Sequence, residues 1–482
     1  MNYSMIRYVL FRAFQLIGVL MLLPLVTALI YREMHEAAIF AAVLAAFFLI
    51  GTAGSVKKPE NRVFFARDGF VMTALIWLLI SAAGAVPFML TGTIPSFVDA
   101  FFETSSGFTT TGATILTSVE GMAKSVQFWR CFTHWIGGMG VLVFMLAVLP
   151  LTGGSTMHLM RAESPGPSVG KIVPRVKNTA KVLYEIYIGI TVIQVVLLMV
   201  TGLSLYEALT ATFSTVGTGG FGIADSSANL FPVSSQIVII VFMTLCGINF
   251  NVYYFLLVRK PGEAFKCEEV RWYLAVMILS AAVIAPGIYR AGLTDTPFLS
   301  FHHALFSVSS VMTTTGFATL DFNLWPQYAR TLLFLLMISG ACAGSTGGGF
   351  RFSRLLILAR RLKNEMVFAT HQKSIRQVYL DGRRVEGTTV KSVTAYLGIY
   401  IAVYLVSFFL ISLDGFDFET NMTAVAATLN NVGPGLSMVG PVGNYSAFSP
   451  FAKLVLSFDM IAGRLELLPM LMLFRRRTWK GQ

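Results

Sequence analysis

Apolar residues run along this chain in blocks rather than alternating with polar ones, and the blocks are about twenty residues long, enough to cross a bilayer as helices. The first two, 5–30 and 36–54, are joined by the short polar stretch from Tyr31 to Glu36, and a basic turn, Lys57-Lys58 through Arg67, follows. Beyond it a composite pattern recurs four times. Each copy has a long apolar run, then a stretch of about 12 apolar and small residues too short to span, then a second long run. The first runs begin near Gly69, Val182, Val270 and Ser392, and the second occupy 127–150, 234–258, 328–358 and 451–474. The pattern predicts two N-terminal transmembrane helices over 1–56, four repeats over 57–150, 151–258, 259–360 and 361–474, and a basic tail over 475–482.

Each shorter stretch ends in a glycine-containing signature. These are Phe108-Thr-Thr-Thr-Gly112-Ala113, Phe213-Ser-Thr-Val-Gly217-Thr218, Met312-Thr-Thr-Thr-Gly316-Phe317 and Leu429-Asn-Asn-Val-Gly433-Pro434. Their glycines lie 105, 99 and 117 residues apart. Four residues before each glycine stands a large apolar residue. Two before it are Thr110, Thr215, Thr314 and Asn431, and one before it are the β-branched Thr111, Val216, Thr315 and Val432. One such signature means little, because Gly and Thr are common where membrane helices pack closely. Four in register between spans predict an all-α polytopic membrane protein, with four pseudo-symmetric helix–pore-loop–helix repeats around one central pore plus two N-terminal transmembrane helices.

Composition agrees. Of 482 residues 55% are hydrophobic and only 12% charged, with a mean hydropathy of +0.70, whereas soluble domains carry about a quarter charged residues. The first run lacks an A-x-A cleavage site and reads as a retained helix. The net charge of +12 raises the question of nucleic acid, but its distribution answers it. With the N-terminus inside and the spans alternating, 29 of the 36 Lys and Arg fall on the inner side, six fall outside, and Arg464 lies within a span. Cys131, Cys246, Cys267 and Cys342 have neither metal nor redox spacing and read as packing residues.

A dehydrated cation needs oxygen dipoles in place of its water shell, and rings of backbone carbonyls supply them in potassium channels. Glycine permits the positive φ that turns successive carbonyls one way, and a preceding β-branched residue favours extended backbone. A short helix entering each signature would aim its negative end at the pore. Glu103, Glu207, Asp417 and Glu419 precede the signatures, where they cap the short helices or face the outer vestibule. His134 reads as a packed helix residue.

Four non-identical pore loops in one chain resemble the Trk/Ktr/HKT superfamily of potassium transporters, and the extra N-terminal spans and length resemble its bacterial TrkH-type pore subunits. The resemblance covers essentially the whole chain. It implies a filter, holding potassium ions, lined by Thr110, Thr111 and Gly112, by Thr215, Val216 and Gly217, by Thr314, Thr315 and Gly316, and by Asn431, Val432 and Gly433. It further implies a homodimer in the bacterial cytoplasmic membrane, with both termini cytoplasmic, no cofactor in this chain, and a cytosolic nucleotide-binding ring of RCK type, TrkA-like, as partner.

The run Gly340-Ala-Cys-Ala-Gly344-Ser-Thr-Gly-Gly-Gly349 interrupts an apolar span. Glycine costs about 1 kcal/mol in a helix interior, so five in ten residues predict a break. One reading makes Gly344, Ser345, Thr346, Gly347, Gly348 and Gly349 a movable gate beneath the filter; the other is a packing kink. Arg464 within Phe458-Asp-Met-Ile-Ala-Gly-Arg-Leu-Glu466 has two readings as well. By the resemblance it faces the pore below the filter as a barrier to cations, and by the other reading it pairs with Asp459 or Glu466. The two roles can coexist, since a charge in a span, at roughly 2.5–3.5 kcal/mol on insertion scales, faces a cavity or a partner. The predicted activity is potassium uptake through a channel-like pore, and the competing reading is a symporter coupled to sodium or protons. No nucleophile–base constellation points to an enzyme.

Overall fold

A computed structural model describes residues 1–57, 59, 66–140, 176–371 and 376–479. Among them six helices are long and apolar enough to cross a membrane: Tyr3–Ile30, Met34–Gly54, Arg67–Leu90, Lys181–Val200, Glu268–Arg290 and Gly387–Asp414. Several keep large apolar side chains exposed, Val192, Val196 and Val200 on one and Leu405, Val406 and Phe409 on another. Such faces are stable only where the solvent is itself apolar. The single sheet among the described residues is a two-residue hairpin, Tyr379–Leu380 against Arg383–Arg384.

Four short helices lie between the long ones: Phe97–Phe108, Leu205–Val216, Pro297–Met312 and Phe418–Leu429. Their 12 to 16 residues reach about 18–24 Å at 1.5 Å per residue, short of a hydrocarbon core about 30 Å thick. Every one starts on a side-chain cap. Ser96 accepts from the Asp99 N–H, Ser204 and Glu207 form a reciprocal capping box, Thr296 accepts from the Leu299 N–H, and Asp417 accepts from the Thr420 N–H at 2.9 Å. The Thr420 hydroxyl also donates to Asp417, holding its carboxyl below the usual carboxylate range. Glu207 and Asp417 are therefore caps.

The second runs differ from continuous spans. Val233–Cys246 and Phe250–Leu257 meet at 90°, where Asn249 caps the second piece through the Asn251 N–H. Gln327–Ser339 stops at Gly340 and the chain resumes helix at Phe352, so the glycine run breaks the span as its composition predicts. Pro450–Arg464 stops before a turn through Glu466 and Leu467, both at positive φ, and Leu468–Phe474 follows. Lys124–Gly138 is the described helical part of the remaining run, and its continuation from 141 to 150 lies outside the described residues.

Candidate functional site

The four short helices end alike. Just past each, one residue adopts φ between 56° and 59°: Thr110, Thr218, Thr314 and Asn431. Its N–H bonds three residues back, and the next residue's N–H bonds five back: Thr111 to Ser106, Gly219 to Ser214, Thr315 to Ser310 and Val432 to Ala427. This is a Schellman C-cap. Two residues after each left-handed residue comes a glycine that is itself at positive φ, from 79° to 97°: Gly112, Gly220, Gly316 and Gly433.

These glycines close a ring. A Cβ on Gly112 would fall within 3.0 Å of the Gly219 carbonyl oxygen, one on Gly220 against that of Thr315, one on Gly316 against that of Val432, and one on Gly433 against that of Thr111. Each loop thus lays a glycine Cα on the carbonyl of the next loop, and the fourth returns to the first. All four glycines line one cavity of about 110 Å³ on the far side of the ring from the glycine-rich run. Among the described residues no protein donor reaches the carbonyl oxygens of Thr111, Gly219, Thr315 or Val432. Buried carbonyls normally find a partner, and these four have none among the described residues.

Nine of the twelve expected ring residues meet there: Thr110, Thr111, Gly112, Thr314, Thr315, Gly316, Asn431, Val432 and Gly433. The second loop is displaced by three residues. Thr215 and Val216 are still helical, and Gly217 is the helix C-cap at φ −69°. The positions equivalent to the other three loops are held by Thr218, Gly219 and Gly220. A Thr-x-Gly followed by an apolar residue, Thr110-Thr-Gly-Ala113, Thr218-Gly-Gly-Phe221 and Thr314-Thr-Gly-Phe317, was the available signal. Gly219 breaks the β-branched pattern, and His134 explains why it can. The imidazole stands where a Gly219 side chain would go. Its Nε2 accepts from the Phe221 N–H at 3.3 Å, which leaves the proton on Nδ1 to donate to the Gly107 carbonyl at 2.8 Å.

Glu103 does not face the cavity. It is buried behind the first loop, 2.6 Å from Arg130, and accepts from the Thr114 hydroxyl and the Ile115 N–H. Arg130 donates to the Gly222 carbonyl and lies 3.5 Å over the Phe221 ring, tying the first loop to the second. Glu419 pairs with Arg330 at 2.5 Å.

On the other side of the ring lies the glycine-rich run. The Gly348 N–H donates to the Thr314 hydroxyl at 2.6 Å, and Gly347 packs on the Thr313 carbonyl. Ser345 bonds back to the Cys342 carbonyl, Thr346 reaches the Cys246 carbonyl, and Gly344 and Gly349 turn at positive φ. Arg464 joins this run to the ring. One nitrogen donates to Thr110 Oγ1 at 3.2 Å and the Thr346 carbonyl at 2.6 Å, the other to the carbonyls of Gly137 and Gly138. The Glu466 carboxylate pairs with Arg354, and Asp459 accepts from the Ser407 hydroxyl. Two residues that the sequence pattern did not single out belong to this layer. Arg351 is buried and donates to the Gly347 carbonyl. Glu269 accepts from the Ala343 N–H at 2.7 Å and the Ser353 N–H at 2.9 Å, bracketing the run at both ends.

A family model described as a cation transport protein, TrkH, matches residues 35–276 and 298–480. The Trk system potassium uptake protein TrkH of Salmonella typhimurium is 32% identical over 468 residues, covering 95% of this chain and 96% of the relative. The protein of the same name from Halomonas elongata is 30% identical over 489 residues, covering all of both. The crystal structure of the potassium transporter TrkH from Vibrio parahaemolyticus superposes with a TM-score of 0.89 at 30% identity, covering both chains completely.

Proposed function

The chain belongs to the TrkH family of cation transport proteins, a multi-pass membrane protein and not an enzyme, and on that premise we propose that it takes up potassium through a channel-like pore. Four helix–loop–helix repeats surround that pore, and the ring of unengaged carbonyls is its filter. Thr110, Thr111 and Gly112 form its first quadrant, Thr218, Gly219 and Gly220 its second, Thr314, Thr315 and Gly316 its third, and Asn431, Val432 and Gly433 its fourth. The single observation that carries the reading is the closure of the ring, in which each loop's glycine lies on the next loop's carbonyl and those four oxygens have no protein donor among the described residues. Residues 340–351 and the Arg464 guanidinium form the gate on the inner side, where a fixed positive charge opposes cations. The membrane is the bacterial cytoplasmic one with both termini inside, the assembly is a homodimer, and a cytosolic nucleotide-binding ring moves the gate.

Purified protein in liposomes under a potassium gradient tests this. A reversal potential that follows the potassium Nernst potential and ignores superimposed sodium or proton gradients is expected. A potential that shifts with either second gradient establishes the coupled symporter instead.

A further inference from the structure

A second cleft lies far from the ring. Helix Phe352–Thr370, the hairpin 379–384 and the start of helix Gly387–Ile411 enclose about 550 Å³, lined by Arg361, Arg376, Arg384, Lys391, Glu365 and Phe368 together with several valines. Four cations face one carboxylate. That carboxylate is spoken for, since Glu365 lies 3.7 Å from Arg361, which also donates to Thr394 Oγ1. Among the described residues Arg376, Arg384 and Lys391 have neither an ion pair nor a hydrogen bond from their side chains. Three cations converging on one concave surface repel one another unless an anion joins them.

The cleft is built, not incidental. Arg360 ties the hairpin down through the Tyr379 carbonyl and Glu268, the Val385 N–H donates to the Val378 carbonyl at 2.8 Å, and Val378, Leu380 and Val385 pack on Ile357 and Val393 beneath. Helix Gly387–Ile411 opens into the cleft without a side-chain cap on its first turn, which adds the positive end of its dipole. That helix enters the membrane at once, and its neighbour mixes Arg360, Arg361 and Lys363 with the exposed Leu362, Met366 and Phe368, the composition of a helix lying in the membrane surface.

We propose that this cleft binds the phosphate of an anionic membrane lipid, with Arg376, Arg384 and Lys391 on the headgroup and Phe368 along the first methylenes of the tail. The site does not depend on what the pore conducts.

The test is thermal unfolding of the full chain in detergent, titrated with phosphatidylglycerol, phosphatidylcholine or inorganic phosphate. Phosphatidylglycerol should raise the midpoint and phosphatidylcholine should not. Because each basic side chain near an anionic lipid strengthens binding roughly fivefold, the triple variant Arg376→Gln/Arg384→Gln/Lys391→Gln should lose about a hundredfold in apparent affinity. Arg383→Gln, in the same hairpin but outside the lining, should keep the wild-type response. A triple variant that still responds overturns the proposal, as does an equal response to both lipids. Inorganic phosphate reproducing the shift overturns the lipid assignment in favour of a soluble anion.

Discussion

A threonine in the left-handed region costs roughly 1–2 kcal/mol that glycine avoids, yet Thr110, Thr218 and Thr314 all sit there, with Asn431 in the fourth place. At Thr110, Thr314 and Asn431 the side chains supply the reason. Thr110 accepts from Arg464, Thr314 from the Gly348 N–H, and Asn431 donates to Thr111 Oγ1 and the Met460 carbonyl. A glycine would remove every one of these links, within the ring and to what lies beneath it. The displaced second loop shows what sequence could and could not reveal at this scale. Spacing alone favours Gly217, because 105, 99 and 117 residues between glycines are more even than the 108, 96 and 117 that Gly220 produces. The hydrogen bonds decide otherwise, since Gly219 bonds back to Ser214 as Thr111 does to Ser106. Two substitutions separate the registers. Gly220→Ala drives a methyl into the Thr315 carbonyl, and should lower the potassium-to-sodium permeability ratio at least tenfold, or stop flux altogether. Val216→Ala removes two buried carbons that pack on Tyr187 and Phe250, so it should lower stability by about 2 kcal/mol and leave the ratio alone. The opposite pairing of results, read from bi-ionic reversal potentials and thermal melts, would return Gly217 to the ring.

Among the elements, the second helix of each set stops near the ring: at Gly138, Cys246, Ser339 and Arg464. Only the third break was legible in the sequence, because five glycines in ten residues leave no helical alternative. The bend after Cys246 rests on tertiary partners, with Gly247 and Cys246 offering carbonyls to Cys342 and Thr346 of the glycine-rich run. No local pattern carries that. Arg464 and Glu269 are among the side chains that hold the run. Arg464 clamps it to the ring side through Thr346, so on the proposed function Arg464→Gln should raise basal potassium flux several-fold in the absence of any regulator; flux at the wild-type level would place the barrier elsewhere. Glu269 holds both ends, and as a carboxylate at the first turn of helix Phe352–Thr370 it is favoured by the helix dipole as well. Hydrogen bonds to a charged group contribute about 1.5–3 kcal/mol each. Glu269→Gln keeps the shape and loses the charge, so amide exchange across 340–352 should accelerate at least tenfold. Unchanged protection there would mean that the run is held by packing on the ring alone.

For the molecule as a whole, the long spans were readable because an apolar block in a membrane needs no tertiary information, and the short helices because each has a cap and too few residues to cross. What the linear pattern could not reveal is how unlike corners are made to fit one ring. His134 fills the space left by Gly219, and Arg130 bridges the first and second loops from behind. The seam between the fourth loop and the first is different in kind. Each of the other three joins loops roughly a hundred residues apart, whereas this one must be closed by residues 320 positions apart, Asn431 donating to Thr111 Oγ1 at 3.0 Å. Gly433 then packs on the Thr111 carbonyl, and the Tyr445 hydroxyl donates to the Gly433 carbonyl at 2.9 Å. A valine follows Asn431 where the first and third loops place a threonine, so the amide of Asn431 is the polar side chain that this quadrant contributes to the closure. Asn431→Ala removes the amide without adding bulk or charge. The seam should widen, and a ring with one loose corner fits its oxygens less closely to a single ion radius. Sodium permeability should therefore rise several-fold relative to potassium while potassium flux persists, with a lowered melting temperature as the structural correlate. If both the permeability ratio and the melting temperature stay at wild-type values, the backbone contact of Gly433 on Thr111 closes the ring without help from Asn431.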